Sequence, residues 1–386
     1  MKKINFLFFI EGVNFGGQQS FNYNVLKNLD KNKINLHVAF VSERQEMFNE
    51  FESISKSISR VGNVEIGFKK DIPSLFKLFS QSLMLIKLIR KYDIDIVGCN
   101  GFYTFIICSF SLLFKKFKLF RFIGGDLRKQ EGQYFNSKIA KYIYNIPSKY
   151  FSYPYGNKLL FKNGVNINKI VEDYPSLKAV DSNLFKPLSK DVSLLNKFKI
   201  KDNEIIIGWV GRLTNAMEVQ ETFDVFEEII SKNNFQYKLL IVGDGPIKNK
   251  LIERAKNNNY FEKVIFTGKI KYSSVPKYIS LMDIVPLIDK DPHGGSILRE
   301  AMSCGKVVIT VNGNSNVQSD FIENYIDGIL LKPKNRIFTA ANMIKKVLAD
   351  SKLRQNIEKN ARNKVLKEFS FMNLTKILEK ELINYN

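Results

Sequence analysis

Glu204-Ile205-Ile206-Ile207-Gly208-Trp209-Val210-Gly211-Arg212-Leu213 is an apolar run that stops in glycine and then presents an arginine. It is short and lacks helical spacing, which is the pattern of a strand buried on both faces of a parallel sheet. The pattern recurs downstream at 238–242, 264–267, 284–288 and 307–311, and upstream at 5–10, 36–41, 95–99, 119–123 and 150–153. Helix-length amphipathic stretches such as 20–29 and 75–90 separate the runs. Strands alternating with helices predict an α/β chain with parallel sheets and crossover helices on both faces. Two series of five or six strands in 386 residues predict two doubly wound domains. The polar, proline-containing stretch Phe185-Lys186-Pro187-Leu188-Ser189 predicts a border between domains 1–187 and 188–368. The amphipathic tail 369–386 is expected to cross back onto the first domain.

Composition removes several classes. Hydrophobic residues at 45% and charged residues at 25% are ordinary for a globular chain and exclude disorder. Three cysteines without a CxxC and two histidines supply neither a disulfide framework nor a Cys/His metal site, so a reduced, cytoplasmic compartment is expected. The first apolar run is followed by Glu11 and reads as a strand, not a signal peptide. The apolar stretch 102–114 falls short of the roughly 20 residues that span a bilayer.

The net charge of +21 is unevenly spread: residues 1–200 hold 31 Lys+Arg against 16 Asp+Glu, and the remainder 28 against 22. A basic first half suits an anionic membrane surface or a lipid diphosphate, and equally a solvated lysine-rich surface. Lys115, Lys116, Lys118, Arg121, Arg128, Lys129, Lys138, Lys141 and Lys149 form the candidate docking surface. The same segment also reads as a core helix and strand with solvated loops. No nucleic-acid recognition motif is present, so no nucleic-acid partner is expected.

In open parallel sheets, ligands bind beyond the C-terminal ends of the strands. Arg212 stands at one such end, where a guanidinium suits a phosphate; a surface arginine after a turn is the alternative. Gly243-Asp244-Gly245-Pro246 is a strand-to-helix turn, with turn geometry alone as an equal reading. Asp291-Pro292-His293-Gly294-Gly295-Ser296-Ile297-Leu298-Arg299-Glu300 opens a helix whose first N–H groups, at Gly295, Ser296 and Ile297, suit a diphosphate. Glu300 lies one turn on, placed to accept hydrogen bonds from two ribose hydroxyls; a solvated helix-surface glutamate is the alternative. Gly16-Gly17 precedes a helix after the first strand, and no P-loop accompanies it.

In this order and spacing the fragments resemble glycosyltransferase family 4, retaining nucleotide-sugar transferases of GT-B fold. Gly16-Gly17, Val180-Asp181 with Leu184-Phe185-Lys186-Pro187, Val210-Gly211-Arg212-Leu213 and Val242-Gly243-Asp244-Gly245-Pro246 carry it. So do 264–268, Glu300-Ala301-Met302-Ser303-Cys304-Gly305-Lys306 and Asp327-Gly328. The resemblance implies two Rossmann-like domains facing across a cleft, with a UDP- or GDP-sugar donor held by the second. It also implies a glycan or lipid-linked acceptor on the first, no cofactor and no metal. Arg212 would hold the diphosphate, Glu300 the ribose, Gly294 to Ile297 the phosphates and backbone near Gly268–Ile270 the base, with Gly243 a further donor contact. Gly16 and Gly17 would approach the leaving group from the first domain, and the protein would be cytoplasmic or peripheral on the inner membrane face. Three hallmark side chains depart from the family pattern. Met217 stands where the family has a lysine, and Pro292 where it has a glutamate, flanked by Asp291 and His293 as substitutes. Gly124-Gly125-Asp126 stands in place of a histidine, with Asp126 the candidate sugar or acceptor contact. These departures leave open a non-catalytic relative that binds a glycan or a protein partner.

Overall fold

The computed structural model describes residues 2–13, 17–42, 46–64, 75–123, 142–152, 154–171, 174, 179–214, 219–231, 236–288, 296–312 and 321–385. The chain divides into two compact units, residues 1–179 with 371–386, and residues 180–370.

In the first unit the described elements are β1 (Ile4–Ile10), α1 (Gly17–Leu26), β2 (Ile34–Ser42), α2 (Phe48–Ile54), β3 (Ser57–Val64) and α3 (Leu75–Lys91). They continue with β4 (Ile96–Asn100), α4 (Phe102–Ser111), β5 (Lys118–Phe122), β6 (Lys149–Phe151) and α5 (Pro154–Lys162). The strands form a parallel sheet of order β3-β2-β1-β4-β5-β6. β1 and β4 are buried on both faces, which explains why they are apolar apart from Asn5, Gly98 and Asn100. Gly98 on β4 has no room for a side chain: a Cβ there would lie 2.8 Å from the Phe6 ring.

The second unit holds α6 (Val192–Lys197), β7 (Ile205–Val210), α7 (Val219–Ile230), β8 (Tyr237–Val242), α8 (Lys248–Asn257), β9 (Val264–Phe266) and α9 (Val275–Leu281). After these come β10 (Ile284–Leu287), α10 (Ile297–Ser303), β11 (Val307–Val311), β12 (Ile329–Leu331), α11 (Arg336–Ala349) and α12 (Ser351–Lys364). The sheet order is β12-β11-β10-β7-β8-β9, again parallel. Each sheet order reverses direction beside its first strand in sequence, the doubly wound arrangement that collects loops at the C-terminal edge.

The border lies between Ala179 and Val180 instead of after Pro187. The expected linker is docked. Val180 N–H donates to the Phe369 carbonyl at 2.8 Å, and the Phe185 ring is fully buried. The Phe185 carbonyl accepts from the Ser303 hydroxyl at 2.5 Å and from Arg362 Nη1 at 2.7 Å. Polar sequence here marks a hydrogen-bonded strap, not a hinge.

α13 (Phe371–Asn384) returns to the first unit, burying Leu374, Leu378 and Leu382 in the core beside Phe120 and Phe151. Thr375 donates to the Val25 carbonyl at 2.7 Å, and Glu379 accepts from the Asp30 N–H at 2.6 Å. Leu378→Ala should therefore lower the stability of the first unit by about 3 kcal/mol, the usual cost of a large-to-small core change. Urea denaturation followed by probes placed in each unit would show the loss in the first unit alone.

Candidate functional site

At the C-terminal edge of the second sheet, the loops after β7 and β8 are zipped together by backbone. Gly211 N–H donates to the Val242 carbonyl at 3.0 Å, and Leu213 N–H to the Asp244 carbonyl at 3.0 Å. This closeness dictates the glycines. A Cβ on Gly243 (φ +139°) would sit 1.9 Å from the Gly211 carbonyl oxygen, and one on Gly245 would sit 2.3 Å from that of Leu213. Asp244 takes the Gly245 N–H at 2.8 Å and Lys248 Nζ at 3.3 Å, contacts that hold its carboxyl below the usual value. The Gly243–Pro246 turn is thus explained by the approach of two loops. That rigid pair carries Arg212, whose side chain is exposed and has no hydrogen bond or ion pair among the described residues.

The strand adjacent to β7 is β10, and α10 follows it. Ser296 precedes the helix and Ile297 is its first residue, a position whose N–H the helix itself leaves without a partner. Leu298, Ala301 and Met302 pack into the core, yet Glu300 is only 4% exposed. Its Oε1 accepts from the Tyr272 hydroxyl at 3.0 Å, and the Ser296 side chain is a second partner. Burial pushes the Glu300 carboxyl above its usual value against the opposing pull of Ser296, Tyr272 and Arg299. Arg299 is buried too, its guanidinium 5.0 Å from the Phe321 ring, and desolvation lowers it to about 10. Tyr272 is 58% exposed, its ring packing edge-on against Phe185 at 5.3 Å; desolvation about its hydroxyl, followed by the neighbouring Glu300, raises the phenol. A solvated surface glutamate is excluded. Tyr272, 28 positions away from Glu300, carries no signal in the sequence and is the partner that sequence reading missed.

Ile270 is half-buried beside the Gly243–Gly268 bridge. The structure therefore brings Arg212, Gly243, Ile270, Ser296, Ile297 and Glu300 to one edge of one sheet. Asp291, His293, Gly294 and Gly295 lie outside the described residues, as do Met217 and Pro292.

In the first unit Gly17 begins α1, while Gly16 and Asp126 lie outside the described residues. The organising residue at this edge is Glu11. Its Oε1 accepts the Tyr103 N–H at 2.8 Å, and Phe102 contributes a second backbone donor, so the carboxylate caps α4. The helix has no other side-chain cap because residue 101 is glycine at φ +118°, where a Cβ would fall 2.4 Å from the Glu11 carboxyl carbon. Burial still raises the Glu11 carboxyl. Asn100 accepts from Gln18, tying β4 to α1.

Two cations expected on the docking surface are elsewhere. The Arg121 guanidinium is buried 3.7 Å from the centre of the Phe105 ring, and Lys149 pairs with Glu381 at 3.2 Å. Both lie on strands, where side chains alternate between faces. Lys115, Lys116 and Lys118 are exposed, and Arg128, Lys129, Lys138 and Lys141 lie outside the described residues.

With this geometry in view, residues 193–364 match the family described as glycosyl transferases group 1. The matched stretch runs from α6 to α12 and includes Arg212, Tyr272 and Glu300. N-acetyl-alpha-D-glucosaminyl L-malate synthase of Bacillus anthracis is 28% identical over 183 residues, 47% of this chain and 46% of that protein. Alpha-monoglucosyldiacylglycerol synthase of Streptococcus pneumoniae is 29% identical over 130 residues, 33% of this chain and 29% of that protein. The matched stretches thus span less than half the length of these relatives. Over the fold, HepE from Anabaena, solved in complex with UDP, superposes with a TM-score of 0.77 at 18% identity, covering 99% of this chain and 100% of that one. The two doubly wound sheets are GT-B architecture.

Two outcomes follow from the packing. Gly243→Ala should cost about 2 kcal/mol or more through backbone strain and the clash with Gly211, measured by chemical denaturation. Glu300 has a folded value raised above its usual 4.5, so its contribution to stability is full below 4.5 and lost as pH rises through the folded value. Glutamine stays neutral throughout. Glu300→Gln should therefore melt higher than the wild type at pH 8 in the ligand-free chain, with the gap closing toward pH 4.

Proposed function

We propose that this chain is a retaining glycosyltransferase that moves a sugar from a UDP- or GDP-sugar to a glycan or lipid-linked acceptor in cell-surface polysaccharide or glycoconjugate synthesis. One observation carries the reading: adjacent parallel strands β7 and β10 bring an exposed arginine and a helix holding a buried, desolvated glutamate to the same sheet edge. A nucleoside diphosphate answers both, with phosphates for the guanidinium and a ribose diol for the carboxylate.

As the bond from sugar to diphosphate breaks, negative charge grows on the leaving phosphate. Arg212 meets that charge with charge-assisted hydrogen bonds, strongest when the charge is greatest, so it favours the transition state. The N–H groups of Ser296 and Ile297 add backbone donors. Glu300 fixes the ribose through the oxygen that Tyr272 leaves unclaimed. Retention needs no pair of opposed carboxylates such as a hydrolase uses. Asp126, Asp291 and His293 are the candidates to contact the sugar, and no step is routed through a metal. The solved UDP complex of HepE and the alpha linkage in both relatives' names support the donor class and the stereochemistry. The diacylglycerol named in the second relative supports a lipid acceptor.

UDP or GDP should raise the melting temperature of the wild-type chain, and Arg212→Ala should lower kcat/KM roughly 10- to 100-fold, the worth of a hydrogen bond to a charged group. NMR of the first-formed product should show the donor's anomeric configuration. A folded chain that no nucleotide stabilises would sink the proposal. Nucleotide binding without transfer or donor hydrolysis would select the non-catalytic relative that Met217 and Pro292 favour.

A further inference from the structure

Tyr272 is exposed as a residue, yet its hydroxyl is drawn into the pocket that buries the Glu300 carboxylate. Its backbone is fixed from both sides. Tyr272–Ser274 form a single 3₁₀ turn in which the Ser274 N–H donates to the Lys271 carbonyl at 2.9 Å, and Val275 and Pro276 beyond it are buried. The ring leans on Phe185, itself fully buried and fastened through its carbonyl to Ser303 and Arg362. Packing alone does not ask for tyrosine here. A phenylalanine would meet Phe185 equally well and would spare the cost of desolvating a hydroxyl. What the hydroxyl supplies, among the described residues, is a hydrogen bond to Glu300 Oε1 at 3.0 Å.

That bond bears on what Glu300 can recognise. An ionised carboxylate only accepts, with room for about four hydrogen bonds over its two oxygens. The Tyr272 and Ser296 hydroxyls take up part of that capacity. The remainder suits the two neighbouring hydroxyls of a ribose, both of them donors. A protonated carboxyl instead offers a donor where the diol needs an acceptor. Without Tyr272, desolvation would act against the charged form with only Ser296 and Arg299 opposing it. The other titratable groups felt at this pair are Asp181 on the strap and Cys304 at the end of α10.

We propose, resting on the nucleoside-diphosphate reading above, that Tyr272 is the positioning residue of the ribose contact: its hydroxyl fixes the Glu300 carboxylate for a 2′,3′-diol and so makes the site prefer ribonucleotides to deoxyribonucleotides. Tyr272 acts through Glu300 and touches no reacting atom. It follows Ile270 by two residues, so one short loop carries both the backbone expected to meet the base and the group that sets the ribose contact.

The test is calorimetric titration of the full chain with UDP, GDP and their 2′-deoxy forms, from mildly acid to mildly alkaline pH. Wild type should bind the ribose form of its nucleotide about tenfold or more tightly than the 2′-deoxy form, the worth of a hydrogen bond to a charged group. Tyr272→Phe, which keeps the ring against Phe185, should lower ribonucleotide affinity about tenfold and leave 2′-deoxy affinity within about twofold. Ribonucleotide affinity should fall on the acid side as Glu300 protonates. Tyr272→Phe should move that fall to higher pH, because the charged form has lost a donor. On a Glu300→Gln background, Tyr272→Phe should change neither affinity nor profile. Circular dichroism melts show whether each variant is folded. A folded chain that binds neither UDP nor GDP removes the nucleoside-diphosphate reading and the role of Tyr272 with it. Nucleotide binding in which Tyr272→Phe keeps the wild-type preference and pH profile overturns the role of Tyr272 alone, as does a wild type indifferent to the 2′-hydroxyl. Equal loss of ribo- and deoxyribonucleotide affinity in Tyr272→Phe makes the residue a plain support of the fold and overturns that role too.

Discussion

The position of the second unit's site depends on one carbonyl. The Phe185 oxygen receives both the Ser303 hydroxyl and Arg362 Nη1, while Arg362 also reaches the Ser303 carbonyl at 2.9 Å and the Ser182 carbonyl at 3.0 Å. These bonds fasten the strap 180–187 and α12 to the last residue of α10. Because α10 is only two turns long, fixing its end fixes Glu300 three residues before. The Phe185 ring adds a wall for Tyr272, which holds the carboxylate itself. Support for the site thus comes from a segment far from it in sequence.

Glu300 is costly to keep. A carboxylate in a desolvated pocket is tolerated only when hydrogen-bonded, and here Tyr272, Ser296 and the equally buried Arg299 share that task. Burial disfavours both charges, lowering the guanidinium and raising the carboxyl, while their mutual attraction resists. An apolar residue would pack there with less conflict. Retention of the conflict fits a group kept for what it binds, as strained or desolvated groups are at functional sites.

Much of the fold was legible because parallel strands buried on both faces must be largely apolar, as 5–10, 205–210 and 307–311 are. The two strands that escaped the sequence reading are edges. β3, Ser57–Val64, is half-exposed and alternates polar with apolar, while β12, Ile329–Leu331, is three residues long. The glycines at 243 and 245 were visible, but their reason was not, since the carbonyls they make room for lie more than 30 residues away. Arg212 and Glu300 were legible from their places after strands. Glu11 was passed over because capping a helix 91 residues later leaves no local trace. Charge misled in one respect: counting lysines and arginines between 115 and 149 ignores that a strand turns alternate side chains inward, which is where Arg121 went.

The return of α13 makes the first unit discontinuous in sequence, with the whole of residues 180–370 inserted within it. On the ribosome, the second unit can close as soon as its own strands have emerged. The first has its sheet by residue 151 but waits for Leu374, Leu378 and Leu382 to cover the face around Phe120 and Phe151. The half that is made first is therefore the half finished last, and for most of synthesis it carries an uncovered apolar surface. Until its later residues arrive, such a chain shows at its beginning the kind of apolar surface on which partly folded chains aggregate.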